Sequence, residues 1–231
     1  MSGFRGQGKQ SWATAPTKVL AESSPKWATE GVVHAFAVRQ SGVPVDAERS
    51  EAVERLGPAH ASLRAELGLG QHAFCVAEQV HGAGVAVVKK NGPSFFPAVD
   101  SLVTDSEGVC LGIYTADCCA VFLVDPGRRA IALAHAGAKG TRLGVVRETV
   151  DLLRAQFGCE PTSLRALLSP CIRPPLYEWD FAAEIRRQLS SAGVGFVVDS
   201  NRCTGAKPDR YYSYRVERGR TGRMLALLAL A

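Results

Sequence analysis

The sequence predicts an α+β fold built on a mixed sheet, and three features of its patterning say so. Short β-type runs follow one another through 73–136 without a helix between them. A helix with a clear apolar face comes next, at 141–157. Strand and helix patterns then mix to the end of the chain, whereas a doubly wound parallel sheet would alternate them strictly throughout.

The 231 residues suit one domain, since single cores usually split only beyond about 250 residues. A composition of 46% hydrophobic and 21% charged residues excludes a disordered or fibrous chain. Residues 1–25 mix Gly, Ser, Lys, Gln and Pro without periodicity and read as a flexible or surface-draped N-terminal extension. The domain, 26–231, is expected to begin near Trp27. Val32, Val33, Ala35, Phe36 and Val38 predict a strand ending at Arg39, followed by a turn at Gly42 and Pro44. Two short helices are expected at 46–56 and 59–67, the second with Leu63 and Leu67 on one face and Gly68 beyond its end. The β runs fall at 74–77, 85–89, 101–104, 110–115, 120–124 and 130–134. In the helix at 141–157, Leu143, Val146, Val150, Leu153 and Phe157 share a face, with Thr141 as N-cap and Gly158 as the stop. A strand at 165–168, a helix at 181–191, a strand at 196–198 and a last strand at 223–229 complete the order.

The formal charge of +5 is spread without a Lys/Arg block, which favours small anionic ligands over nucleic acid. No stretch approaches the roughly 18 uninterrupted apolar residues of a membrane span. The first ten residues lack the apolar core of a secretion signal. Seven cysteines, an odd set without the spacing of a disulfide scaffold, point to reduced thiols in the cytoplasm.

Three segments share one design, a β run that ends in a metal-type side chain beside a Gly or a turn. They are Gln79-Val80-His81-Gly82, Thr115-Ala116-Asp117-Cys118 and Ala134-His135-Ala136-Gly137. Two imidazoles and one thiolate match a catalytic zinc site, which uses three protein ligands and leaves a fourth position open. Singly, each residue reads equally well as a hydrogen-bonded histidine or a small buried thiol. Cys118 and Cys119 point to opposite faces if a strand runs through them, so at most one of the two readily joins such a site, and spacing does not choose. The loop from His135 to Thr141 leads into a helix, so its free N–H groups, with Lys139, Gly140 and Thr141, form a candidate phosphate cradle or a plain strand-to-helix turn. Its spacing is not that of a Walker A loop. Tyr211-Tyr212-Ser213-Tyr214-Arg215 and Thr221-Gly222-Arg223 gather aromatic and guanidinium groups that suit base stacking or anion binding, or an ordinary strand edge.

Together with Ser169-Pro170-Cys171-Ile172, these segments resemble the polyphenol-oxidoreductase "laccase domain" proteins, whose members are described as zinc-dependent purine nucleoside phosphorylases. The resemblance runs from about Val32 to Leu228. It implies a single α+β domain of layered mixed sheets flanked by helices, an α/β/β/α sandwich, with one Zn2+ held by His81, Cys118 and His135. It also selects Cys118 over Cys119, because the family's ligand directly follows the Ala-Asp pair. The implied substrates are purine nucleosides and phosphate: adenosine, inosine and methylthioadenosine are cleaved, and adenosine is deaminated. Arg39 and Arg215 carry over as anion or ribose contacts, and Asp117 as a ligand-orienting group, a general base or a structural hydrogen-bonding residue. The sequence departs from the family where Trp-Arg-Gly usually follows His-Ala-Gly; here Ala138-Lys139-Gly140 stands instead. Arg173 also replaces the usual Gly after Pro-Cys-Ile. Two rival readings are a cysteine hydrolase or deamidase with Cys118 as nucleophile and His135 as base, and a non-catalytic zinc-binding regulatory protein. Copper oxidation fails on counting, since five His are too few for a multicopper oxidase.

Overall fold

The computed structural model describes residues 21–24 and 29–231. Two six-stranded mixed sheets lie face to face. The first runs β1 (Ala21–Glu22), β2 (Val32–Ala37), β12 (Met224–Leu230), β7 (Val109–Thr115), β3 (Ala73–Ala77), β5 (Phe95–Phe96). The second runs β11 (Phe196–Asp199), β10 (Arg165–Leu168), β8 (Cys119–Asp125), β9 (Ala130–Ala136), β6 (Ser101–Thr104), β4 (Val85–Val87).

Alternation along the strands builds the layers. Met224, Ala226 and Leu228 of β12 meet Phe122, Val124, Ile131 and Leu133 of the second sheet in the central core. The intervening Leu225, Leu227 and Ala229 face outward and pack with Ala59 and Leu63 of helix α1 (Arg49–Glu66). On the far side Cys119, Val121 and Leu123 of β8 pack with helices α3 (Val145–Phe157) and α4 (Phe181–Ser191). Strands covered on both faces read as unbroken apolar runs, which explains the Met-Leu-Ala-Leu-Leu-Ala-Leu sequence of β12. The result is the expected α/β/β/α sandwich.

Three local expectations change. Residues 49–66 form one helix rather than two, although Pro58 lies inside it and removes a backbone donor. The buried face formed by Ala52, Leu56, Ala59, His60 and Leu63 continues across Pro58, so packing against the first sheet overrides local propensity. The helix expected at 141–157 is two, α2 (Ala138–Arg142) and α3, separated by Gly144 in the left-handed region (φ 82°). Thr141 is therefore not an N-cap but an interior residue whose N–H donates to Gly137 O at 2.8 Å, and the break leaves Leu143 half exposed. Finally, Ala21–Glu22, at the end of the expected extension, pairs antiparallel with β2, and Glu22 holds Arg202 and Arg210. The remainder of that extension and the start near Trp27 lie outside the described residues.

Candidate metal centre

Strand register brings the three segments together. In the antiparallel pair β8–β9, Cys119 faces Ala136 and Ala120 faces His135. One residue further along, Cys118 stands opposite Gly137. In β6–β9, Ser101 faces Ala134, so Asp100 stands opposite His135, whose N–H donates to Asp100 O at 2.7 Å. The parallel pair β4–β6 continues this through Asp100 N–H, which donates to Gly84 O at 2.9 Å and draws the loop carrying His81 alongside.

Asp100 is the clamp of the site. Its Oδ1 lies 2.8 Å from His135 Nδ1 and accepts the His81 N–H at 2.9 Å. Its Oδ2 accepts the N–H groups of Gly82 (2.6 Å) and Val80 (3.2 Å). Burial alone would raise the pKa of this carboxyl, but the His135 contact and the backbone donors bring it below the usual carboxylate range. With Nδ1–H given to Asp100, the His135 Nε2 lone pair is directed to a ligand. Nothing in the sequence pattern marked Asp100, an acidic residue just before a buried apolar strand.

One ligand atom each from His81, Cys118 and His135 lie within 4.8 Å of one another, and these are the residues the sequence singled out. Ligands on a tetrahedral ion with bonds of 2.0–2.3 Å stand about 3.5 Å apart, so small side-chain rotations suffice to hold a metal. Gly137 makes the room: a Cβ there would sit 2.6 Å from Cys118 Sγ and 3.3 Å from His81 Cδ2. His135 is buried and His81 exposed, which leaves one side of the cluster open. Burial opposes ionisation of Cys118, yet the two imidazoles bring its thiol down to about 6. Burial likewise opposes a charge on His135, but the Cys118 thiolate and Asp100 raise it to about 9. The metal-free cluster is thus a thiolate–imidazolium pair near neutral pH. Cys119 faces the other way, within 3.8 Å of Ser169 O, and burial raises its thiol well above the usual range.

Three non-glycine residues around the cluster have left-handed backbone: Gln79 (φ 61°), His81 (φ 59°) and Asp117 (φ 84°). Such conformations cost on the order of 1 kcal/mol or more each and persist where the surroundings impose them. Gln79 is held because its side chain donates to Tyr114 O (2.6 Å) and accepts Tyr114 N–H (3.0 Å). Asp117 is held because its carboxylate accepts Thr204 Oγ1 (2.7 Å), Ser213 Oγ (3.0 Å) and Arg215 N–H (2.8 Å). These bonds fit the structural role among those open to Asp117, which also lines the cleft, while the carboxylate in contact with the His135 ring is Asp100.

The cluster opens into a cleft of about 880 Å³. Lys139 and Arg215 line it as expected, with Arg215 drawn to Glu178 (2.9 Å) and over the Tyr177 ring. Arg39, Gly140 and Thr141 do not line it. Arg39 pairs with Glu217 at 2.7 Å, donates to Tyr211 O and lies 4.4 Å over Tyr212. A Cβ on Gly140 would sit 2.9 Å from Gly82 O, so this glycine serves the close approach of α2 to the His81 loop. Thr141 is buried. The cradle expected at 135–141 thus contributes His135, Ala138 and Lys139 to the cleft. Unforeseen lining residues are Arg49, Arg142 and Arg218, with the aromatic rings of Tyr114, Tyr177 and Phe181. Arg223 and Tyr214, noted in the sequence only as members of a C-terminal cluster, line it too. Arg173 bonds Asp199 (2.5 Å) and Arg202 O, closing the loop after β10.

His34 accepts the Ser24 N–H, and His60 is buried in α1 beside Tyr114, its pKa pushed down by burial to about 4. All seven cysteines are free, and among the described residues no helix is long and apolar enough to cross a membrane.

Comparison with known proteins gives consistent matches. The family model described as multi-copper polyphenol oxidoreductase laccase matches residues 35–182 and 177–231. A protein of Deinococcus radiodurans named purine nucleoside phosphorylase is 34% identical over 86% of this chain and 89% of its own. Purine nucleoside phosphorylase YlmD of Geobacillus stearothermophilus is 30% identical, covering 84% of each chain. The crystal structure of YlmD from that organism superposes with a TM-score of 0.77 at 26% identity, covering 90% of this chain and 94% of its own.

Proposed function

The chain belongs to the multi-copper polyphenol oxidoreductase laccase family, and on that premise we propose that it is a zinc-dependent purine nucleoside phosphorylase of the cytoplasm. It splits adenosine, inosine or methylthioadenosine with phosphate into free base and ribose 1-phosphate, and it deaminates adenosine in the same cleft. The observation that carries this reading is the His81–Cys118–His135 cluster, open on one side, at the floor of a basic and aromatic cleft. The names of the relatives supply the substrate class.

Zinc suits a donor set of two imidazoles and a thiolate with a free fourth side. Copper chemistry of the multinuclear kind needs more imidazoles, and His34 and His60 lie elsewhere, His34 accepting the Ser24 N–H and His60 buried beside Tyr114. When bound, zinc supplies a Lewis acid for a phosphate oxygen or a water molecule. The chain's own residues do the rest. Asp100 fixes the tautomer and ring direction of His135. Lys139, with the Glu178-paired Arg215, lends positive charge to the cleft wall, while Tyr177 and Tyr214 offer faces to the purine. Ala138 and Lys139, standing where the family usually has Trp and Arg, widen the cleft and give it a point charge in place of a planar fork.

The test is to measure bound metal and then incubate the protein with the three nucleosides, with and without phosphate, following base and ribose 1-phosphate by mass spectrometry. Cys118→Ala is expected to lose both metal and turnover; full activity in a metal-free C118A protein would overturn the assignment. A second reading, a cysteine hydrolase, draws on the depressed Cys118 thiol beside His135 and Asp100. Hydrolysis that survives metal chelation and dies with iodoacetamide would favour it.

A further inference from the structure

Arg223 is a buried cation without a direct ion-pair partner among the described residues, although the Cys118 thiol and the Asp117 carboxylate lie near enough to favour its charge. The residue is 8% exposed and lines the cleft, and among the described residues no carboxylate forms an ion pair with it. Its Nη1 is tied back to the carbonyls of Thr221 (2.8 Å) and Gly222 (2.9 Å). That leaves the Nε and Nη2 edge without a protein partner, and this edge of a guanidinium forks two oxygens of a phosphate.

A second guanidinium stands nearby under similar conditions. Arg49 lines the same cleft, has no ion pair among the described residues, and is held by Nη1 to Glu78 O (3.2 Å) and by Nη2 to Gln79 Oε1 (3.4 Å). It is the first residue of α1, where the helix dipole disfavours a cation and favours an anion. Burial and the nearby charge of Arg49 together hold the Arg223 guanidinium below the usual arginine range. Two like charges, one buried and one at the wrong end of a helix, are unfavourable until an anion lies between them. Arg215 and Arg220, by contrast, already have carboxylate partners in Glu178 and Asp46.

We propose that the free edge of Arg223, with Arg49 beside it, is the seat of inorganic phosphate, on the wall formed by the start of α1 and the loop before β12. The proposal deepens the phosphorylase reading and rests on it for the choice of phosphate. It moves the anion away from the loop at 135–141, which the sequence offered as a candidate cradle, and away from Arg39. Lys139 then serves as a rim charge and not as the phosphate fork.

The test uses the full chain with its metal and inorganic phosphate as the probe, with binding followed by titration calorimetry. Arg223→Met and Arg49→Gln are each expected to weaken phosphate binding by about tenfold or more, the worth of one charge-assisted contact. Arg223→Lys, which keeps the charge and loses the fork, is expected to fall between native and R223M. Arg187→Gln, which removes an exposed charge on α4 that is not part of the cleft lining, is expected to bind as the native protein does. In turnover, the KM for phosphate is expected to rise while the KM for nucleoside changes less than about threefold. If R223M does not fold, as a melting curve would reveal, R49Q at the exposed end of the pair carries the test alone. Phosphate affinity within twofold of native in R49Q and in a folded R223M overturns the seat. Should phosphate bind in an Arg223-dependent way while no nucleoside releases its base, the seat stands and the phosphorylase reading falls. Phosphate-dependent base release that both variants leave untouched has the opposite meaning.

Discussion

Replacing Asp100 with Asn changes one atom and no volume, which makes it a clean probe of how the centre is held. The carboxylate has four acceptor contacts, to the His135 imidazole and to the backbone N–H groups of Val80, His81 and Gly82. An amide offers one oxygen and one NH2, so whichever way it turns, the NH2 faces donors: Gly82 and Val80 N–H in one orientation, His81 N–H and the His135 ring in the other. Two hydrogen bonds to a buried charge are lost, at about 1.5–3 kcal/mol each, for a total of about 3–6 kcal/mol. In a chain of this size that lowers the melting temperature by roughly 10 °C or more. The ring loses its orienting partner as well, and such losses weaken metal binding by about 10- to 100-fold. Because the folded pKa of Asp100 is lowered, its contribution is complete above the unfolded value of about 3.9 and vanishes as pH falls through the folded value, so D100N should flatten the acid limb of the metal-free stability curve. Competition with a chromophoric chelator and thermal unfolding measure both effects. An Asn variant with native melting temperature and metal affinity within threefold would refute the idea that this carboxylate holds the site.

Two further outcomes follow from the same geometry. Gly137→Ala is expected to lose at least about tenfold in metal affinity while the sandwich stays folded, because the new Cβ would stand 2.6 Å from Cys118 Sγ; native metal content in this variant, read by mass spectrometry, would contradict it. In metal-free protein, iodoacetamide should modify Cys118 with a midpoint near pH 6, since the thiolate grows as pH rises through its depressed pKa, and bound metal should protect it. A midpoint near 9, or equal labelling of buried Cys110, whose thiol burial pushes up to about 12, would speak against the thiolate–imidazolium pair.

What the sequence made legible is what local pattern encodes. The run of strands from 73 to 136, the helix at 181–191 and the final strand were all readable, because apolar alternation and helical spacing survive in a short window. His81, Cys118 and His135 were readable as chemistry-bearing residues beside turns. What stayed hidden depends on pairing across the chain. Asp100 matters because register sets it opposite His135, and register is a tertiary fact. Arg49 belongs to the cleft because α1 starts where the cleft begins, a placement set by packing across the chain. Arg39 misled for the complementary reason: its partner Glu217 is remote in sequence. The helix break at Gly144 was visible as a glycine, but the apolar spacing on both sides concealed it.

His81 lies on the link from β3 in the first sheet to β4 in the second, and Cys118 on the link from β7 to β8, while His135 ends a strand wholly within the second. The three candidate ligand atoms therefore straddle the seam of the sandwich like a rivet through two plates. A slight slip of one plate over the other, caused by a smaller side chain at Phe122 deep between them, would be felt at the rivet before the plates part. With a metal held there, its occupancy would gauge the core, and loss of the ion would be an early sign of damage laid down far from it.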